Sequence, residues 1–172
     1  MHILKSKRVM LLLISLASIF ALGVTTSIAQ EKIKISGKRY GVMTKLEMMN
    51  VDDIEGHAIS ISELKGVDVV TGDHFVSMSL NDGVIGGTGT IKGYSKIIDK
   101  DGDVRFETIE TKTTFILSPE GKPIGVTMES TFSFTKGTGK WENIHGGGTG
   151  KGKFIAPEIF MVDWEGEYFI KK

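Results

Sequence analysis

Beyond residue 30 the chain carries three histidines, His57, His74 and His145. Zinc catalysis recruits three nitrogen or oxygen ligands and keeps a fourth position open. These three fall on separate predicted elements, with no HxH or HxxxH pair among them, so no metal site is assigned. His57 and His74 read as turn-proximal residues near one rim, and His145 as part of a glycine-rich cap. Asp99-Lys100-Asp101-Gly102-Asp103 invites a calcium reading, because carboxylates at loop positions one, three and five suit an oxygen-rich shell and Glu110 falls at position twelve. Val104 stands where that loop needs glycine, and a strand-like run follows instead of a helix. An acidic hairpin tip is the better account. With no cysteine, disulfides, thiolate zinc sites and cysteine nucleophiles are excluded. Serines are many, but no GxSxG elbow occurs.

Two carboxylates remain. Glu107 shares parity with Ile109, Thr113, Phe115 and Leu117, and Glu63 with Ile59 and Ile61. A carboxylate inside an apolar cavity can orient a ligand or move a proton. A bulge would swap the parity and put either group in water, and Glu110 shares parity with Phe106. Of the two readings we favour the bulge. Glu107 nevertheless leads the candidate ligand-binding residues, followed by Trp141, His74 and His145. Trp141 lies in the glycine-rich stretch, placed to close a cavity mouth, whereas Trp164 falls in an apolar stripe and reads as core. No catalytic set and no cofactor is assigned.

The elements that would hold these residues are strands. Val76, Met78 and Leu80 alternate with Ser77, Ser79 and Asn81; Phe132 and Phe134 alternate with Thr131 and Ser133; Phe160, Val162 and Trp164 oppose Asp163 and Glu165. Period two with one polar face predicts half-buried antiparallel strands. Turn signals such as Asn81-Asp82-Gly83, Asp101-Gly102 and Pro119-Glu120-Gly121 separate the runs. The predicted strands lie near 32–36, 40–50, 57–70, 73–81, 88–98, 103–117, 124–135, 148–156 and 159–171. Their length favours closure, which leaves no edge to pair with another chain. The expected fold is all-β: a single antiparallel barrel of about eight strands, lipocalin-like, with a short helical turn near 140–144 plugging one end.

Ahead of this domain, Lys5, Lys7 and Arg8 precede an apolar run from Val9 to Val24, and Ser27-Ile28-Ala29 supplies a small-x-small pattern. We expect residues 1–29 to be a signal peptide cleaved after Ala29, and 30–172 to be the barrel domain, periplasmic or secreted. The apolar run of 16 residues is shorter than the roughly 20 a membrane-spanning helix needs. Without this segment 18 basic residues face 21 acidic ones, a net charge of −3. Phosphate neutralisation needs a basic footprint, so nucleic-acid binding is set aside.

Gly137-Thr138-Gly139-Lys140-Trp141 followed by Gly146-Gly147-Gly148-Thr149-Gly150 is the most distinctive stretch. A phosphate cradle would lead into a helix; here Lys151-Gly152-Lys153-Phe154 reads as strand. The stretch resembles a segment of the allene oxide cyclase-like and dirigent-like barrel superfamily. With Gly93-Tyr94 and the Asp99–Asp103 hairpin upstream it is also similar to exported bacterial barrels of uncharacterised role. The resemblance covers roughly Gly86 to Phe169. It implies an eight-stranded barrel with a hydrophobic cavity and, possible in that superfamily, homo-oligomers. No position matches a family catalytic set, so none is transferred.

The expected function is binding of a small apolar or amphipathic molecule inside an exported barrel, with no nucleic-acid partner and no stable membrane insertion. One alternative is an isomerase- or cyclase-type enzyme on the same barrel, which would need an inward charge such as Glu107. The other is a small outer-membrane barrel, against which stand the missing aromatic girdles and the lack of a continuous apolar band from Gly86 to Lys96.

Overall fold

The computed structural model describes residues 30–171, and the expected signal segment lies outside the described residues. Eight strands follow one another: β1 (Ile33–Asn50), β2 (His57–Asp68), β3 (His74–Val84), β4 (Thr88–Ile98), β5 (Val104–Leu117), β6 (Pro123–Gly137), β7 (Ile144–Ala156) and β8 (Ile159–Ile170). Each pairs antiparallel with its neighbour, and β8 returns to β1, so the sheet closes into a barrel. Among the described residues the only helix is a 3-10 turn, Gly139–Trp141, between β6 and β7. The predicted all-β antiparallel barrel and its short helical turn are what the chain forms.

Three boundaries differ from expectation: β3 runs through Asn81-Asp82-Gly83, expected as a turn, to Val84, and the chain turns at 85–87 instead; the other two differences lie at glycines. The runs at 32–36 and 40–50 form one strand, β1. A Cβ at Gly37 would overlap the Asp68 carboxylate and the Trp164 indole. The glycine lets two packed side chains cross the strand without interrupting it. β7 begins at Ile144 rather than 148, because Ile144 to Gly147 pair with Ile170 to Glu167. Gly148 lies so close to β8 that a Cβ would strike the Glu165 carbonyl.

On β6 to β8 the alternation places apolar side chains inward, whereas β5 buries Arg105, Glu107, Thr111 and Thr113. Phe132, Phe134, Ile144 and Trp164 form one buried cluster, and Phe75, Ile97, Met128 and Phe160 form another. Lys112, Glu129, Lys151, Asp163 and Glu165 face outward on the same strands. β2 and β3 reverse this order. Ser62, Ser77 and Ser79 are buried, while Ile61, Met78 and Leu80 are 49, 56 and 52% exposed. Glu63 lies on the outside with Ile61, bonded to Thr44 and Lys65, the solvent-facing position favoured for it, reached because the whole strand turns Ile61 outward. Register decides this. Leu64 and Asp68 on β2, and Phe75 on β3, turn toward the interior, and every second residue must then follow them.

Candidate functional site

The barrel is filled at one end and hollow at the other. At the filled end Asp68 accepts the Trp164 Nε1–H at 2.5 Å and the backbone N–H groups of Val70 and Thr71 at 2.9 and 3.1 Å. Arg105 donates to Asp73 at 2.6 Å and lies 4.9 Å from the Trp141 ring centroid. Trp141 donates its indole N–H to Asp99 at 2.7 Å, and Lys140 bridges Asp99 and Asp101 at 2.8 and 2.6 Å. Burial alone would raise the Asp99 pKa. Lys140, the Trp141 indole and the N–H groups of Asp101 and Asp103 outweigh it and hold the carboxyl at about 2. The same pairing with Asp101 and Asp99 raises the Lys140 pKa. The acidic hairpin tip is thus a latch onto the helical turn, and among the described residues no group of three or more His, Asp or Glu is placed to hold a metal.

Above this plug lies a cavity of about 290 Å³. Arg39 from β1 enters its floor, with the guanidinium 5.0 Å from the Trp164 centroid and 5.7 Å from that of Phe75. Both guanidinium ends meet Glu107, at 2.5 and 3.4 Å, and Glu107 is wholly buried. One wall is a seam of hydroxyls. Ser62 and Ser79 share a hydrogen bond of 2.9 Å, Ser77 bonds Ser95, Asn81 Nδ2 donates to Ser60 at 2.9 Å, and Thr111 bonds Ser130 at 2.8 Å. The lining from β7 and β8 is apolar, with Phe154, Phe160 and Val162, and Leu64 and Met128 border the seam on β2 and β6. Leu46 and Met48 line the other end and remain half-exposed, so the cavity opens there. His57 sits beside this mouth between Asp82 (2.8 Å) and Asp53 (2.6 Å). The Asp82 and then the Asp53 hydrogen bond raise its pKa above the usual value.

The candidate residues scatter around this frame. Glu107 faces inward, which corrects the favoured solvent reading. The β5–β6 pairing does shift register between Phe106 and Glu107, but the irregularity leaves Arg105 and Glu107 both inside, where Arg39 and Asp73 meet them. Trp141 is half-buried under the plug, at the end opposite the mouth it was expected to close. His74 and His145 are exposed, the latter stacked 5.3 Å from Phe169. His57 and His74 lie at opposite rims: His57 pairs with Val84, and His74 with Val67 ten ladder positions away. An antiparallel hairpin returns its second strand start to the far end of the first. Glu107 alone of the four comes to the cavity, through Arg39.

Sequence reasoning missed Arg39 and the hydroxyl seam. Arg39 shares parity with Ile33 and Ile35, which was the available signal. The seam carried none, because serines on one parity of a strand normally mark its wet face. Among the described residues no serine or threonine hydroxyl bonds a histidine, so the activated-nucleophile geometry is not assembled here.

No protein-family model matches the chain, and no curated protein matches it. Two solved structures are similar to it. A conserved protein of unknown function from Rhodopseudomonas palustris is 10% identical, with 82% of this chain and 99% of that one covered and a TM-score of 0.52. A protein of unknown function from Clostridium acetobutylicum is 13% identical, with 80% and 99% covered and a TM-score of 0.50. At such identity the likeness carries the barrel fold alone.

Proposed function

We propose that the barrel binds a small apolar or amphipathic molecule in its hollow end. The observation that carries this reading is the cavity itself: about 290 Å³, near the low end of small-molecule pockets at roughly 300–1,000 Å³, apolar with a few convergent polar groups. The allene oxide cyclase-like and dirigent-like resemblance implies the same use of a barrel. An isomerase- or cyclase-type enzyme is less well supported, because both Glu107 oxygens are engaged by Arg39. The reading includes export, with Gln30 as the mature N-terminus, which N-terminal sequencing of protein from its own source tests.

Among the described residues no helix is long and apolar enough to cross a membrane. A membrane-spanning barrel is disfavoured on other grounds. The outward Lys112, Glu129, Lys151, Asp163 and Glu165 lie within the strands, where a lysine facing lipid costs about 2–4 kcal/mol at the midplane.

Titration with the neutral dye Nile red, read by its fluorescence, tests the binding reading. Saturable binding to the wild type is expected, and at least tenfold weaker binding after Ala58→Trp, which blocks the wall near the mouth. No saturable binding would overturn it.

A specific observation favours a second property, association of two copies through β2–β4. Ile61, Val76, Met78, Leu80 and Tyr94 lie exposed on that outer face, and Ile61–Leu80 and Met78–Tyr94 are cross-strand partners. At roughly 100 Å² each they make about 500 Å² of apolar surface, which with its rim approaches the ~800 Å² per partner of a standard interface. Most charges of this face are paired within the chain, Lys45–Glu47, Lys65–Glu63 and Lys92–Glu110, and Lys96, opposite Val76, is the exception. Sedimentation should give a dimer that Met78→Lys converts to monomer; a wild-type monomer at tens of micromolar refutes it.

A further inference from the structure

We infer that the cavity selects a neutral amphiphile with hydroxyl or carbonyl oxygens along one edge, and discriminates against the corresponding carboxylate. This inference rests on the binding reading above and names the ligand class for the same cavity.

The floor argues first. Arg39 is the only cationic side chain lining the cavity, so a fatty carboxylate would be expected to seek it. Its charge is already matched. Glu107 holds both ends of the guanidinium, at 2.5 and 3.4 Å, and has no solvent exposure of its own. A second carboxylate would leave the site with an uncompensated negative charge among Phe75, Phe160 and Trp164, where desolvation is costly. The guanidinium has five N–H donors, more than Glu107 uses. A neutral carbonyl or hydroxyl oxygen can accept one of the remaining donors without adding charge.

The walls argue independently. The seam of Ser60, Ser62, Ser79, Asn81, Thr111 and Ser130 is bonded largely within itself, Ser62 to Ser79 and Thr111 to Ser130. A hydroxyl has one donor and two acceptor lone pairs. Each hydroxyl pair consumes one donor and one acceptor, so it leaves one donor and several acceptors for the cavity. A ligand hydroxyl can use both kinds of group and an ester carbonyl the free donor, and neither brings a charge into the cavity, as a carboxylate would. Across the cavity, Phe154 on β7 and Phe160 and Val162 on β8 offer no polar atom, and Leu64 and Met128 border the seam on β2 and β6. The cross-section is therefore amphipathic, matching a molecule with one oxygenated edge and one hydrocarbon face.

Three ten-carbon-chain probes separate the possibilities in the intact barrel: 1,2-decanediol, methyl decanoate and decanoate, each displacing Nile red at pH 8, where the acid is ionised. The diol and the ester are expected to displace the dye, and decanoate to require at least tenfold higher concentration. Decanoate matching or exceeding the ester would overturn the neutral selection and leave the binding reading standing. Nile red failing to bind would overturn both. Glu107→Gln supplies the internal control. With the guanidinium charge released, decanoate should gain at least tenfold while the diol changes less than threefold; an unchanged decanoate affinity in a folded variant overturns the argument. If that variant does not fold, the wild-type comparison of ester and carboxylate decides alone.

Discussion

Removing one member of the Arg39–Glu107 pair should be far more damaging than removing both. Glu107 has no solvent exposure, and the Arg39 guanidinium lies between the Trp164 and Phe75 rings. Glu107→Leu leaves a cation there with no counter-charge. Breaking a buried pair from one side costs about 3–5 kcal/mol, whereas replacing both partners by apolar groups of similar volume is neutral or stabilising. The whole fold is worth about 5–15 kcal/mol, so the single change removes a large share of it. Arg39→Met with Glu107→Leu should return to within about 1 kcal/mol of wild type. Urea unfolding followed by tryptophan emission reads this directly, since Trp164 touches the guanidinium and lies in the core. All four corners of the cycle share one transition, and the expected coupling is about 5 kcal/mol or more. A Glu107→Leu loss below about 1 kcal/mol, or a double variant as unstable as the sum of the singles, would show that the pair is not what stabilises the floor.

Three further outcomes follow from the plug, the mouth and the glycine strand. Asp99 titrates at about 2, below its ordinary 3.8. Its contribution is therefore complete above about pH 4 and is lost as pH falls through 2. The shift corresponds to at most about 2 kcal/mol, discounted to about 1 because Lys140 is partly solvated; Asp99→Asn should abolish that acid dependence in pH-resolved melts. His57, with its pKa raised by Asp82 and Asp53, adds its stabilisation fully below pH 6.5 and loses it as pH rises through the folded value. Ring-proton NMR should place that titration above 6.5 and move it down in Asp82→Asn; a wild-type midpoint at or below 6.5 contradicts the geometry. Gly148→Ala should destabilise by more than about 2 kcal/mol, because its Cβ meets the backbone of Glu165, a contact that can relax only by opening the β7–β8 ladder. Gly125→Ala, whose Cβ would lie 3.5 Å from the Ile116 side chain, should change stability by less than 1 kcal/mol.

The strands from β2 to β8 lie near where alternation and turn residues put them, apart from the end of β3 and the start of β7, because a pleated strand imprints its period of two on any sequence that half-buries it. Closure followed from strand length and the cost of an unpaired edge. The latch at Asp99 was legible in kind, as an acidic hairpin tip. Its partners Lys140 and Trp141 were not, because they approach from the far side of β6 across some forty residues.

Which face of each strand looks inward belonged to the tertiary structure alone. Val76, Met78 and Leu80 have the same alternation whether they point into the barrel or away from it, and only the register of Phe75 and Leu64 against the rest of the core turns the serines inward. Glu107 and Arg39 lie 68 residues apart, each on a strand whose parity admitted two readings. Closing the ring between β1 and β8 brings them face to face across the interior. An amphipathic strand specifies that it has two faces, and the shape of the closed sheet decides which of them holds the ligand.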